Sequence, residues 1–295
     1  MERRGFIKRL GLGAAAVSAA STLTLPAFAK DKVAAAPFKL DFAPHFGMFK
    51  QHAPGGLVDE LRFMADQGFR SLEDNGLLKR PLAEQELIGK TLDQLGMRMG
   101  VFVVDGGDNW KVSLASGKQE FLDNFVATCK ASVEAAKRVN AKWMTVVPGY
   151  FERNLPIGVQ TGHVIDALER GAEIFEPQGL AMVLEPLSDN PDLFLRHADQ
   201  TYMICRAVGS PACKLLYDAY HMQRNEGNLI ATMEKTWSEI AYIQIGDNPG
   251  RKEPGTGEIN YANVFQFIHK KGFTGILGME HGNALPGKEG ELALI

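Results

Sequence analysis

The sequence predicts a single (β/α)8 barrel, an α/β fold, over residues 38–295. Three observations carry that expectation. Eight short apolar runs alternate with amphipathic stretches, four consecutive runs end in a carboxylate or an amide, and about 265 residues remain once the first 29 are set aside. That length suits one such barrel or two smaller domains, and nothing in the interior reads as a linker.

Each element follows from its local pattern. The runs rich in Val, Ile, Leu and Phe lie at 38–46, 69–75, 98–105, 143–150, 180–187, 214–221, 240–248 and 274–282. Each is bounded by a polar or glycine-containing turn, as expected of buried strands. Helices are predicted between them at 56–67, 83–95, 119–140, 163–178, 200–208, 229–237 and 261–271. In the third of these, Phe121, Phe125, Cys129, Val133 and Ala136 recur at helical spacing and lay one apolar stripe against a sheet. Gly68, Gly96, Gly179 and Gly272 each precede a strand, where a left-handed helix end feeds the turn. Alternation of this kind gives parallel strands joined by crossovers, and a count of eight favours a closed ring over an open sheet. Only 283–295 remain for an eighth helix.

The N-terminus reads as an address. Arg3 and Arg4 open the segment RRGFIKR, a weakly apolar run follows at 10–25, and Ala27-Phe28-Ala29 offers a cleavage site before Lys30. We expect residues 1–29 to be a twin-arginine signal, 30–37 a short leader into the barrel, and the mature protein to be periplasmic. The apolar run is short of the ~20 residues that span a bilayer, so no membrane association is expected after cleavage.

A formal net charge of −3 without a basic block argues against nucleic acid as partner and for a small molecule. Cys129, Cys205 and Cys213 show no C-x-x-C spacing, so buried reduced thiols are expected rather than a disulfide framework or thiolate zinc site. A homo-oligomer is compatible with the fold, but no exposed stripe specifies one.

The chemistry gathers late in the chain. Asp218, His221, Gln244, Asp247 and Glu253 lie just beyond two apolar runs, and Glu185 and Glu280 close two more. Buried strands rarely finish in carboxylates without a partner, because an unpaired buried charge costs several kcal/mol or shifts its pKa. Glu185, Asp218, Gln244 and Glu280 end the fifth to eighth runs and so arrive around one rim, where such barrels keep their active sites. Three carboxylates and an amide form an all-oxygen site suited to one divalent cation, Mg²⁺ or Mn²⁺. An ion chelating an α-hydroxy carbonyl compound acidifies the shared carbon and favours an enediolate, with Glu185 and Glu280 as the natural proton-transfer pair.

The segments YDAYHMQRNEGNL (217–229) and IQIGDNPGRKEPGTGEINY (243–261) resemble the hydroxypyruvate isomerase family, within the xylose isomerase-like TIM barrels that include ketose 3-epimerases. MADQGFRSLE (64–73) and the turn Gly107-Asp108-Asn109-Trp110 support the likeness. The resemblance implies a metal held by Glu185, Asp218, Gln244 and Glu280, with both glutamates exchanging protons with a small hydroxy-keto acid or ketose. It also implies that His221 reaches a substrate oxygen and that Arg251 lies beside the substrate. Gln244 fits the isomerase group, since the 3-epimerases carry His at that position. The first two strand regions, LDFAPHFGMF and SLEDNGLL, depart from the family pattern where they would line the pocket.

Trp110 is expected as an apolar wall over the substrate. His45 and Glu73 close the first and second runs, where pocket-lining and structural roles both fit. Two other functions compete. Metal-dependent hydrolysis on the same barrel calls for several zinc ions and many histidines, against seven in this chain. A periplasmic binding protein would keep the pocket without needing both proton-transfer glutamates.

Overall fold

The computed structural model describes residues 38–295, so the expected export signal, its cleavage site and the segment 30–37 lie outside the described residues. Nine strands form the inner wall. They are β1 (Asp41–Ala43), β2 (Ser71–Leu72), β3 (Arg98–Met99), β4 (Phe102–Val103), β5 (Trp143–Val146), β6 (Ala181–Leu184), β7 (Cys213–Asp218), β8 (Ile240–Ile245) and β9 (Ile276–Met279). Every one of the eight apolar runs contains a strand, and the third holds both β3 and β4. All pairings are parallel, in the order β1-β9-β8-β7-β6-β5-β4, with β2 on β3.

The ring closes through the backbone. Glu73 N donates to Pro44 O at 2.9 Å, His45 bridges Glu73 in parallel, and Gly100 N donates to Leu72 O at 2.7 Å. The break between β3 and β4 falls at Gly100, where a Cβ would meet the Tyr242 hydroxyl at 2.4 Å and Leu72 O at 3.0 Å. The strand gives up regularity there to admit a tyrosine from across the barrel.

Helices α1 (Leu57–Asp66), α2 (Leu82–Leu95), α3 (Gln119–Val139), α4 (Ile157–Phe175), α5 (Ala198–Val208), α6 (Ala219–Asn225), α7 (Leu229–Thr236), α8 (Tyr261–Lys270) and α9 (Gly287–Leu292) surround the strands. The predicted stripe of α3 is in place, with Phe125, Cys129, Val133 and Ala136 buried. Gly68, Gly96, Gly179 and Gly272 all adopt positive φ, from 63° to 99°. Two elements differ from expectation. Helix α4 begins at Ile157 rather than near 163, because the buried Gln160 spends its amide on the preceding loop, donating to Glu152 O and Leu155 O. Helix α6 begins inside the sixth apolar run, and Asp218 caps it, accepting from Tyr220 N at 2.7 Å.

The barrel interior explains how strand ends become a site. Val183, Leu216, Tyr242 and Ile276 belong to a small buried cluster with Ala43 and Val101. Alternation along a strand places the residue two further on the same face. Those residues are Glu185, Asp218, Gln244 and Gly278, and Glu280 follows Gly278 by two more. An apolar plug thus sits below a polar rim. The larger apolar cluster packs strands against helices, and Cys129, Cys205 and Cys213 are buried free thiols. No helix among the described residues is long and apolar enough to cross a membrane.

Candidate active site

Glu185, Asp218, Gln244 and Glu280 come from four adjacent strands, and the first three are at most 6% exposed. Asp218 divides its carboxylate between two tasks. Oδ1 caps α6, while Oδ2 lies 3.1 Å from the Arg251 guanidinium. Gln244 donates its amide to Glu73 Oε1 at 2.7 Å, which leaves Gln244 Oε1 buried without a hydrogen-bond partner. Glu185 Oε1 and Glu280 Oε2 are likewise buried and accept no hydrogen bond.

Two of the four predicted ligand residues, Glu185 and Gln244, therefore present a buried oxygen without a hydrogen-bond partner, and Glu280 Oε2 has the Arg251 guanidinium beside it at 3.1 Å. Such atoms cost about 1–3 kcal/mol each when left so, and more when charged, which fits a donor set assembled for a hard cation. Burial pushes the carboxyls of Glu185 and Glu73 well above the ordinary range, with Glu280 adding like-charge repulsion to each. Glu280 is held up at about 7, again chiefly by burial, which Arg251 partly offsets. A divalent cation relieves the same excess of buried negative charge.

His221 is fully buried and approaches Glu185 Oε1 at 3.8 Å, Asp218 Oδ2 at 3.6 Å and Asp189 Oδ2 at 3.8 Å through Nε2. Glu185, Asp218 and His221 offer atoms mutually within 4.8 Å, a spacing that would admit a metal. The far side of the ring decides its role. The backbone N–H of Ser188 points at Nδ1 from 3.2 Å, and the Ser188 hydroxyl lies 2.8 Å away. A backbone N–H can only donate, so Nδ1 accepts and the ring proton sits on Nε2. In this tautomer His221 turns an N–H, not a lone pair, toward Glu185, Asp218 and Asp189. Burial lowers its pKa and keeps the ring neutral.

Arg251 adopts φ 48° in the Gly/Pro-rich loop, its N–H held by Asp247 O at 2.7 Å. Its guanidinium reaches Glu280 O, Asp218 Oδ2 and Glu280 Oε2, each at 3.1 Å, and covers the Tyr220 ring at 4.9 Å. Asp247 and Glu253 are structural. The Asp247 carboxylate accepts from Asn248 N, Gly255 N, Gly257 N and Ile259 N, and Glu253 accepts from Ala284 N.

A cavity of about 380 Å³ opens above this set, bounded among others by Glu185, His221, Arg251, Glu280 and the half-exposed Trp110. His45 is placed elsewhere. It sits in the seam of the ring, its nitrogens facing Phe46 O at 3.0 Å and His281 O at 3.4 Å, and it does not line the cavity. The structure adds residues that strand-end reasoning missed. Asn75 donates to Glu280 Oε1 at 3.2 Å, and Lys79, Asp105 and Asp189 stand in the cavity wall. The only sequence signal for Asn75 was its place at the end of the second run.

The chain belongs to the xylose isomerase-like TIM barrel family, whose profile matches residues 61–293. Its curated relatives are isomerases. It is 30% identical over 178 residues to hydroxypyruvate isomerase of Escherichia coli, covering 59% of this chain and 67% of that one. It is 28% identical over 239 residues to 2-oxo-tetronate isomerase of Cupriavidus necator, covering 79% and 89%. A crystal structure of an AP endonuclease, family 2, from Brucella melitensis shares the fold with a TM-score of 0.73 at 22% identity, over 85% of this chain and 96% of the other.

Proposed function

We propose that this protein is a divalent-metal-dependent isomerase of small α-hydroxy carbonyl compounds, with Mg²⁺ or Mn²⁺ as the ion. The nearest named reaction is hydroxypyruvate to tartronate semialdehyde. The observation that carries this reading is the pair of unpartnered buried oxygens on Glu185 and Gln244 beside Asp218 Oδ2 and Glu280 Oε2, which share the single Arg251 guanidinium. Glu185, Asp218, Gln244 and Glu280 would hold the ion, which supplies Lewis-acid polarisation of the substrate carbonyl.

The protein's own groups do the rest. One glutamate of the pair Glu185 and Glu280 takes the proton from the hydroxyl-bearing carbon, giving an enediolate. The other protonates the adjacent carbon, and the proton of the original hydroxyl passes to the former carbonyl oxygen. His221 donates from Nε2 to a substrate oxygen and stabilises the charge that develops there. Asn75 orients Glu280 through Oε1. Arg251 steadies the carboxylates and faces the substrate.

Solvent-deuterium incorporation into α-hydroxy carbonyl compounds, with metal content measured on the same samples, tests this reading. Glu185→Gln and Glu280→Gln should each lower turnover by roughly two orders of magnitude or more while retaining some metal, because Gln keeps a ligand oxygen. Near-normal turnover in either metal-loaded variant would reduce that glutamate to a ligand and end the two-base mechanism.

A further inference from the structure

Isomerising an α-hydroxy carbonyl compound moves two protons. One leaves a carbon and returns to its neighbour, the task given above to Glu185 and Glu280. The other leaves the hydroxyl oxygen and ends on the former carbonyl oxygen. That second transfer calls for a base that touches both oxygens and that neither the ion nor the fold has already engaged.

Most carboxylates of the site are engaged. Asp218 is divided between the cap of α6 and the Arg251 guanidinium. Asp105, in the cavity wall, pairs with Lys79 Nζ at 2.6 Å through Oδ2 and accepts from Gly107 N at 2.8 Å through Oδ1. Burial opposes the charge on Asp105, but Lys79 and the Gly107 N–H outweigh it and hold the carboxyl below its ordinary value, which makes it a poor base. Asp189, in the loop after β6, is the exception. The backbone on either side of it is fastened, since Ser188 N donates to His221 Nδ1 at 3.2 Å, Asn190 Nδ2 donates to the Tyr150 hydroxyl at 3.0 Å, and Asn190 Oδ1 accepts from Asp192 N at 2.8 Å. Between these anchors the Asp189 side chain lines the cavity, is 40% exposed and takes no hydrogen bond from any described residue.

His221 sets where that free carboxylate meets substrate. Its Nε2 lies 3.8 Å from Asp189 Oδ2 and 3.8 Å from Glu185 Oε1. Neither gap is a hydrogen bond, yet a substrate oxygen about 2.8 Å from both Nε2 and Asp189 Oδ2 closes an ordinary triangle over the first. The oxygen that accepts from His221 is therefore within reach of Asp189, on a ring that also faces Glu185.

We infer that Asp189 is a further catalytic residue, which carries the oxygen-bound proton from one substrate oxygen to the other. This rests on the isomerase reading above. As the first glutamate takes the carbon proton, the hydroxyl O–H bond breaks and an O–H bond forms on Asp189. The former carbonyl oxygen then takes that proton, the Asp189 O–H bond breaks, and the carboxylate is regenerated. No other reactant is consumed, and His221 keeps its Nε2 proton throughout.

Two rates measured on the metal-loaded protein in D₂O separate the two protons. Deuterium entering recovered hydroxypyruvate at its hydroxyl-bearing carbon reports the carbon proton alone, whereas formation of tartronate semialdehyde requires both. Asp189→Asn keeps the shape of the side chain but takes up no proton. Exchange should stay within about threefold of the parent rate while isomerisation falls on the order of 100-fold. An unchanged isomerisation rate leaves the proton to water and overturns the inference. Where both rates fall together, Asp189→Ala with added formate decides. Isomerisation that recovers as formate is raised bears out the carrier role, and no recovery overturns it. A parent protein that shows neither rate, on hydroxypyruvate or on D-glyceraldehyde, overturns the isomerase reading itself and this inference with it.

Discussion

Gln244 and Glu73 are joined by a buried 2.7 Å hydrogen bond that runs from the amide of one to the carboxylate of the other. The second Glu73 oxygen accepts from the Tyr242 hydroxyl at 2.9 Å, so Glu73 is fixed from two sides. Because the amide nitrogen is spent on Glu73, Gln244 turns its oxygen into the proposed ion site. A partner that orients a ligand in this way is worth about 10–100-fold in metal affinity. Glu73→Gln sets an amide N–H₂ against one of two donors, so Mn²⁺ affinity measured by calorimetry should fall within that range. Affinity equal to the parent protein would show that Gln244 needs no such support.

Ser188 sets the tautomer of His221. Nitrogen-detected NMR on ¹⁵N-histidine-labelled protein at neutral pH should show a neutral His221 ring with its proton on Nε2. A proton on Nδ1 would contradict the Ser188 contacts and reopen His221 as a ligand. Ser188→Ala removes the hydroxyl and leaves the backbone donor, so the loss in kcat/KM should be modest, about three- to tenfold for one hydrogen bond. Metal affinity should not change.

The buried thiols predict an alkaline weakness. Burial pushes Cys129 up to about 12, from an ordinary value of 9.0. The folded state therefore holds its proton more tightly than the unfolded chain. The stability this contributes is complete below the ordinary thiol value and is lost as pH rises from there toward 12. Between about pH 8 and about pH 10.5 the loss should approach roughly 2 kcal/mol. Urea unfolding of the parent and of Cys129→Ala at both pH values checks this, the variant losing less. An equal loss in the two proteins would free Cys129 of the effect.

What the sequence conveyed best was what depends on near neighbours. The α3 stripe, the four left-handed glycines before strands and the polar residues closing β6, β7 and β9 are all set by spacing within a few positions. Relationships carried by tertiary closure were not visible. Glu73 and Gln244 are separated by 171 positions and Ser188 and His221 by 33, so neither pair leaves a local pattern. The start of α4 was hidden for another reason. Gln160 interrupts the apolar rhythm but is buried, its amide satisfied by a loop that sequence alone does not place beside it. His45 ends an apolar run as the site residues do, yet closure of the ring turns it toward backbone carbonyls instead.

The space around Glu73 has a consequence for how such a protein can change over generations. A Cβ at Gly278 would lie 1.8 Å from Glu73 Oε2, just as one at Gly100 would strike the Tyr242 hydroxyl. Four positions on four different strand regions are thus tied into one unit of inheritance. An alanine arriving alone at 100 or 278 displaces the tyrosine or the carboxylate and so disturbs Gln244. Losing Glu73 first clears space at 278 but leaves the Tyr242 hydroxyl and Leu72 O against 100, while weakening the proposed ion site. Single-step routes out of this arrangement pass through impaired intermediates, so lineages keeping the chemistry should retain or replace these four residues together, while the cavity wall above them drifts toward new substrates.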